Sequence, residues 1–118
     1  MDVTWDCQVT DFGSHPIVDK VTGKIKNLFT PVVIDDYCWI GNRTSIERGT
    51  KLPHHTIVGQ NSLFNKDYID KGIKSYSLLE GQSAKLILEN VERVYDIQEE
   101  YSIAAECWKK ESSHIKIQ

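Results

Sequence analysis

Residues 33–68 read VIDDYCWIGNRTSIERGTKLPHHTIVGQNSLFNKDY, and their periodicity decides the fold. An apolar residue returns every sixth position: Ile34, Ile40, Ile46, Leu52, Val58 and Phe64. If roughly a quarter of positions are aliphatic or Phe, six such hits in one register arise by chance about a few times in ten thousand. A second column runs beside the first. Cys38, Thr44, Thr50, Thr56 and Ser62, all small, each follow an apolar position by four residues. Neither the 3.6-residue helical period nor plain alternation produces this pattern.

Short strands joined by tight corners do produce it. Side chains alternate in direction along a strand, so the small residue and the aliphatic two places later both point inward, and the residue between them points out. Three hexads close one triangular coil of about 18 residues. Ile34 then stacks on Leu52, Ile40 on Val58, and Ile46 on Phe64. The expectation is an all-β parallel β-helix. Val3 and Val9, six apart with Cys7 in the small slot, place an earlier coil there, for about three coils in all. Residues 16–31, PIVDKVTGKIKNLFTP, break the register and read as a loop ejected from the solenoid, a place where sites are built on rigid scaffolds.

From about Asn90 the period changes. Val94, Ile97, Tyr101, Ala105 and Trp108 recur at steps of three and four, which marks an amphipathic helix expected to pack across the end or side of the coils. Asp96 followed by Glu99 offers a capped start near residue 97. The chain thus divides into a β-helix domain over 1–89 and a helical extension over 90–118.

Composition narrows the function. The 118 residues carry 14 Lys+Arg against 17 Asp+Glu, a net charge of −3. That balance excludes a broadly basic nucleic-acid or anionic-membrane binder. No apolar stretch approaches the roughly 18–20 residues of a membrane span, and Met1-Asp2-Val3-Thr4 does not begin a signal peptide. Cys7, Cys38 and Cys107 are odd in number and widely spaced, so they predict reduced thiols and a cytoplasmic protein.

The stretch 33–68 resembles the hexapeptide-repeat acyltransferases with a left-handed β-helix. It is closest to the sugar and polysaccharide O-acetyltransferase branch, related to maltose and serine acetyltransferases. Two further phrases carry the likeness: VTWDCQVTDFGSHPI (Val3 to Ile17), similar to a phrase ending in Asp-x-Asp-Phe-His, and LEGQSAKLI (Leu79 to Ile87), similar to a closing Gly-Asn-Pro-Ala-Lys segment. The resemblance implies a homotrimer with acetyl-CoA as co-substrate and no metal. His15 would be the general base on the acceptor hydroxyl, since a neutral imidazole with a pKa of about 6.5 suits that task. Asp11 and Trp39 would contact the acceptor, with Asp11 orienting His15, and Trp39 would be buried between subunits over Ile57. Gly41, Ser45, Gly59 and Ser62 would flank the pantetheine arm, with Lys66 and Lys85 near the phosphates of CoA.

Each of these residues also has a plainer reading. His15 is otherwise an exposed loop histidine, Trp39 a subunit contact, the glycines corner residues, and the lysines solvated charges. The chain departs from the family phrase at Gly13, where a second Asp stands, and at Ser14, where Phe stands. It also has fewer coils before Val3 than the family, so its open first coil needs a partner's cover or marks a truncated product. These departures support the alternative of a catalytically impaired β-helix scaffold. His54 and His55 raise the zinc hydrolases built on the same solenoid. Adjacent residues on a strand point to opposite sides, which argues against both joining His15 on one metal.

Overall fold

The computed structural model describes residues 1–13 and 15–110; Ser14 and positions 111–118 lie outside the described residues. The strands are short, as hexads require. They are β1 (Asp2–Val3), β2 (Gln8–Val9), β3 (Val33–Ile34), β4 (Trp39–Ile40), β5 (Ser45–Ile46), β6 (Lys51–Leu52), β7 (Ile57–Val58), β8 (Leu63–Phe64), β9 (Leu78–Glu80) and β10 (Lys85–Leu88), followed by the helix α1 (Ile97–Lys110).

Three sheet faces wrap one core. The first stacks β1, β4, β7 and β9 in parallel, the second β2, β5 and β8, and the third β3 and β6. The register is the one the hexads predict: Ile34 opposite Leu52, Ile40 opposite Val58, Ile46 opposite Phe64. Val3 and Val9 join the columns over Ile40 and Ile46, and Leu79 continues the first face beyond Val58. All the aliphatic column residues from Ile40 to Phe64 are buried, whereas Ile34, at the start of its column, is half-buried.

The small column is buried for a reason beyond size. Its hydroxyls close the corners by donating to a carbonyl three residues back: Thr50 to Glu47, Thr56 to Pro53, Ser62 to Gly59 and Ser77 to Lys74, each at 2.7 Å. A buried hydroxyl without a partner would cost about 1–3 kcal/mol. The Cys38 thiol donates instead fifteen residues ahead, to the Pro53 carbonyl at 3.2 Å, as Thr44 does to Gly59 at 3.4 Å, and burial pushes the thiol pKa up. Cys7, Cys38 and Cys107 are all free.

Two departures from the sequence reading stand out. The ejected segment leaves the solenoid at Asp11 rather than Pro16, and it is an antiparallel arm with its own pairing. Phe12 bridges Phe29 and Val18 bridges Ile25, while the Thr30 amide donates to the Asp11 carbonyl at 2.9 Å. At the tip, Asp19 Oδ1 accepts the amides of Val21 (2.8 Å) and Thr22 (3.1 Å). Those two bonds hold the Asp19 carboxyl below the usual range.

The helix is the second correction. It starts at Ile97 because the Asp96 carboxylate accepts the Glu99 amide at 3.0 Å, the cap its sequence offers. It does not pack across the coils: every residue of α1 is exposed. Residues 90–96 run instead as a non-helical strap back over the first face, where the Val91 amide donates to Tyr76 and Arg93 pairs with Asp2 at 2.7 Å.

Candidate functional site

The outward side of the first face carries Trp39 directly over Ile57, as the register requires. Beyond each strand the chain turns through Gly41 and Gly59. A Cβ at Gly41 would lie 2.7 Å from both the Gln60 amide and the Val58 carbonyl, so only glycine lets the rungs stack there. At Gly59 a Cβ would collide with the Glu80 side chain, which lies across that corner. Trp39, Gly41, Ile57 and Gly59 line one groove of about 410 Å³, with Trp5 and Gln60 among its remaining walls. Its walls combine an indole, branched aliphatics and side-chain-free corners, a lining that suits a slender, partly apolar group.

Trp39 is half-buried within a single chain, because the strap already covers part of it. The Arg93 guanidinium stands 4.3 Å from the centre of the indole and 5.4 Å from the Tyr95 ring. A cation over an indole contributes about 0.5–2 kcal/mol depending on exposure, whereas the exposed Arg93–Asp2 pair adds about 0–1. Arg93 has no signature in the sequence, since its partner lies 54 positions away in the period of another element.

The other predicted residues do not gather at this groove. His15 is exposed on the arm, midway along the chain between the Phe12–Phe29 and Val18–Ile25 bridges, and forms no hydrogen bond among the described residues, to Asp11 or any other. Asp11 lines a different cavity, of about 540 Å³, at the open first rung beside Val9, Ile34, Asp35 and Asp36. Ser45 faces outward on the second face, and Lys66 is exposed past the end of that face. Lys85 is exposed on β10, opposite Glu80. Ser62 needs a correction: it is buried, its hydroxyl donates to Gly59 and accepts the Gly81 amide at 3.1 Å, and its side chain is therefore unavailable to a ligand outside the coil.

The reading of His54 and His55 is also corrected. They do not point apart; their Nδ1 atoms are 2.8 Å from each other. Strand alternation does not govern them, because they lie at a corner where His55 has φ +56°. His55 stacks between Tyr37 (4.9 Å) and Tyr76 (4.5 Å), both also in the left-handed region, forming an aromatic column along that corner.

No family model matches the chain, and no curated protein matches its sequence. Solved structures do match. One is the crystal structure of the polysialic-acid-specific acetyltransferase NeuO, at a TM-score of 0.67 and 23% identity over 96% of this chain and 49% of that one. Another is the polysialic acid O-acetyltransferase OatWY, at 0.69 and 19% over 84% and 47%. The β-helix fold of this chain is the one these two structures share. At these identities the likeness carries architecture alone, and this chain spans about half the length of either structure.

Proposed function

We propose that the protein is an acetyl-CoA-dependent O-acetyltransferase acting on a sugar or polysaccharide precursor, a left-handed coil of about three turns that works as a cytoplasmic homotrimer. What supports this reading is an architecture shared with two saccharide acetyltransferases over 96% and 84% of this chain. The groove of Trp39, Gly41 and Gly59 supports it, since its apolar walls and side-chain-free corners suit a pantetheine arm or the acceptor beside it. Lys66 and Lys85 are exposed point charges of the kind that suit phosphates.

His15 is the general base. Its imidazole takes the proton of the acceptor hydroxyl as that oxygen attacks the thioester carbonyl, and the CoA sulfur leaves as the thiol on receiving that proton. Asp11 serves the acceptor side from the neighbouring cavity, and the loss of the second Asp at Gly13 weakens that side. Loops on rigid scaffolds commonly carry such chemistry, and His15 stands on the arm between its two bridges.

The test is release of thiol from acetyl-CoA with a panel of sugar acceptors. His15→Ala should lower turnover by about 10²–10⁴-fold with CoA affinity unchanged. A His15→Ala variant within a factor of about two of wild type would remove the assignment, far short of the loss of a base. Gly13, where the family phrase has a second Asp, favours a second reading, a non-catalytic scaffold. CoA at 100 times its Kd stabilises a binder by about 2.7 kcal/mol, so a flat thermal-shift titration selects the scaffold.

A further inference from the structure

Where the arm joins the coil, Arg48 reaches across to it. Its Nη1 donates to the Asn27 carbonyl at 2.6 Å, a contact between residues 21 apart in sequence. That bond uses one of the five N–H groups of the guanidinium. No carboxylate pairs with Arg48 among the described residues, and its other donors have no partner there. The Arg48 contact is exposed, so its remaining donors can be reached from solvent.

Gly13 keeps the space in front of it open. A Cβ at Gly13 would stand 3.1 Å from Nη1 and 3.4 Å from the guanidinium carbon. The Gly13 backbone is not in the left-handed region, so its lack of a side chain serves room rather than conformation. The result is a cavity of about 240 Å³ lined by Thr10, Phe12, Gly13, Glu47 and Arg48. That is below the roughly 300–1,000 Å³ of sites for drug-sized ligands, a size for one unit of a longer chain.

We propose that this cavity binds one acidic unit of a saccharide, its carboxylate held by the planar fork of Arg48. Arg suits a carboxylate because two parallel N–H donors match its two oxygens. The remaining walls suit a sugar ring. Phe12, 48% exposed and stacked on Phe29 at 5.6 Å, offers a flat apolar face, and the Glu47 carboxylate is exposed as an acceptor for hydroxyls. Lys20, Lys24 and Lys26 on the arm outnumber its two carboxylates, Asp11 and Asp19. The inference rests on the acetyltransferase reading, which makes the ring held here the acceptor presented to His15, two residues from Gly13.

The experiment is calorimetric titration with an oligogalacturonate, an oligosialate and a neutral galacto-oligosaccharide of equal length, run beside the thiol-release assay. Wild type should bind at least one acidic oligomer about tenfold or more tighter than the neutral one, the scale of a charged hydrogen-bonded pair. Arg48→Gln should remove that preference and Arg48→Lys restore part of it. Because Arg48 also ties down the arm, Gly13→Asp provides the control: it leaves the Arg48 side chain in the protein and sets a carboxylate of the chain's own against the guanidinium, so it too should abolish the preference. Circular dichroism melts establish that each variant is folded. No acidic preference in wild type, or its survival in both Arg48→Gln and Gly13→Asp, overturns the proposal. Acetyl transfer to neutral and acidic acceptors alike would sink the subsite and leave the transferase standing. Retained acidic preference with no transfer by wild type would sink the transferase and leave the subsite.

Discussion

The two ends of the solenoid are built from the same hexads and finish differently. One column shows it: Val9 on β2, Ile46 on β5 and Phe64 on β8 stack in register, yet Val9 is 50% exposed and the other two are fully covered. At the far end the chain turns back on itself. Tyr68 lies against Phe64 with ring centres 5.3 Å apart, its hydroxyl donates to the Ala84 carbonyl at 3.1 Å, and β10 pairs antiparallel with β9. At the near end β1, β2 and β3 each pair on one side only. A repeat sets what happens between rungs, and closure has to be supplied by residues outside the repeat.

That contrast can be broken most forcefully at Phe64. Phe64→Ala should cost about 3–5 kcal/mol, as for other buried aromatic truncations, read as a shift of the urea midpoint. A loss under about 1 kcal/mol, the range of surface changes, would mean the closed end is not packed as described. Tyr68→Phe should cost about 0.5–1.5 kcal/mol for the buried hydrogen bond. It carries a pH signature as well. Burial pushes the Tyr68 pKa above its ordinary value, so the unfolded chain loses that proton first as pH rises past about 10. Stability from this group is complete below that pH and falls above it. Burial raises Cys38 in the same direction, so Tyr68→Phe should flatten the alkaline decline without abolishing it.

At the open end the same truncation should do much less. Val9→Ala removes methyl groups that are already half in water, and should cost under about 1 kcal/mol; a cost like that of Phe64→Ala would show this rung to be covered in solution. Smallest of all is Asp96→Ala. Loss of the cap should weaken α1 by about 1 kcal/mol, visible as reduced helical circular dichroism, while the β-helix midpoint stays fixed because α1 buries nothing against it.

The core columns were legible because inward positions repeat at a fixed spacing, and any break in that spacing would have been seen. The arm leaves the coil five residues before the loop the sequence predicts, because the crossing is set by the Phe12–Phe29 bridge, a contact between distant positions. An amphipathic stripe told where α1 forms and nothing about what it meets. His54 and His55 were misread because alternation was applied at a corner with positive φ. The groove's Trp39 and glycines were visible as outward and corner slots. Arg93 over the indole and Arg48 beside Gly13 were not, since pairwise contacts between elements leave no period.

The detached helix and projecting arm also govern how the molecule moves through water. Its radius of gyration is 18.0 Å, with extents of 62 × 37 × 23 Å, whereas a compact chain of this length would have about 13–14 Å. Drag follows outline rather than mass, so one chain should elute from a gel-filtration column ahead of globular standards of 13.5 kDa. An elution volume alone would therefore mistake a lone chain for an assembly. Stoichiometry should be taken from the mass-weighted signal of static light scattering or from sedimentation equilibrium, both of which are blind to shape.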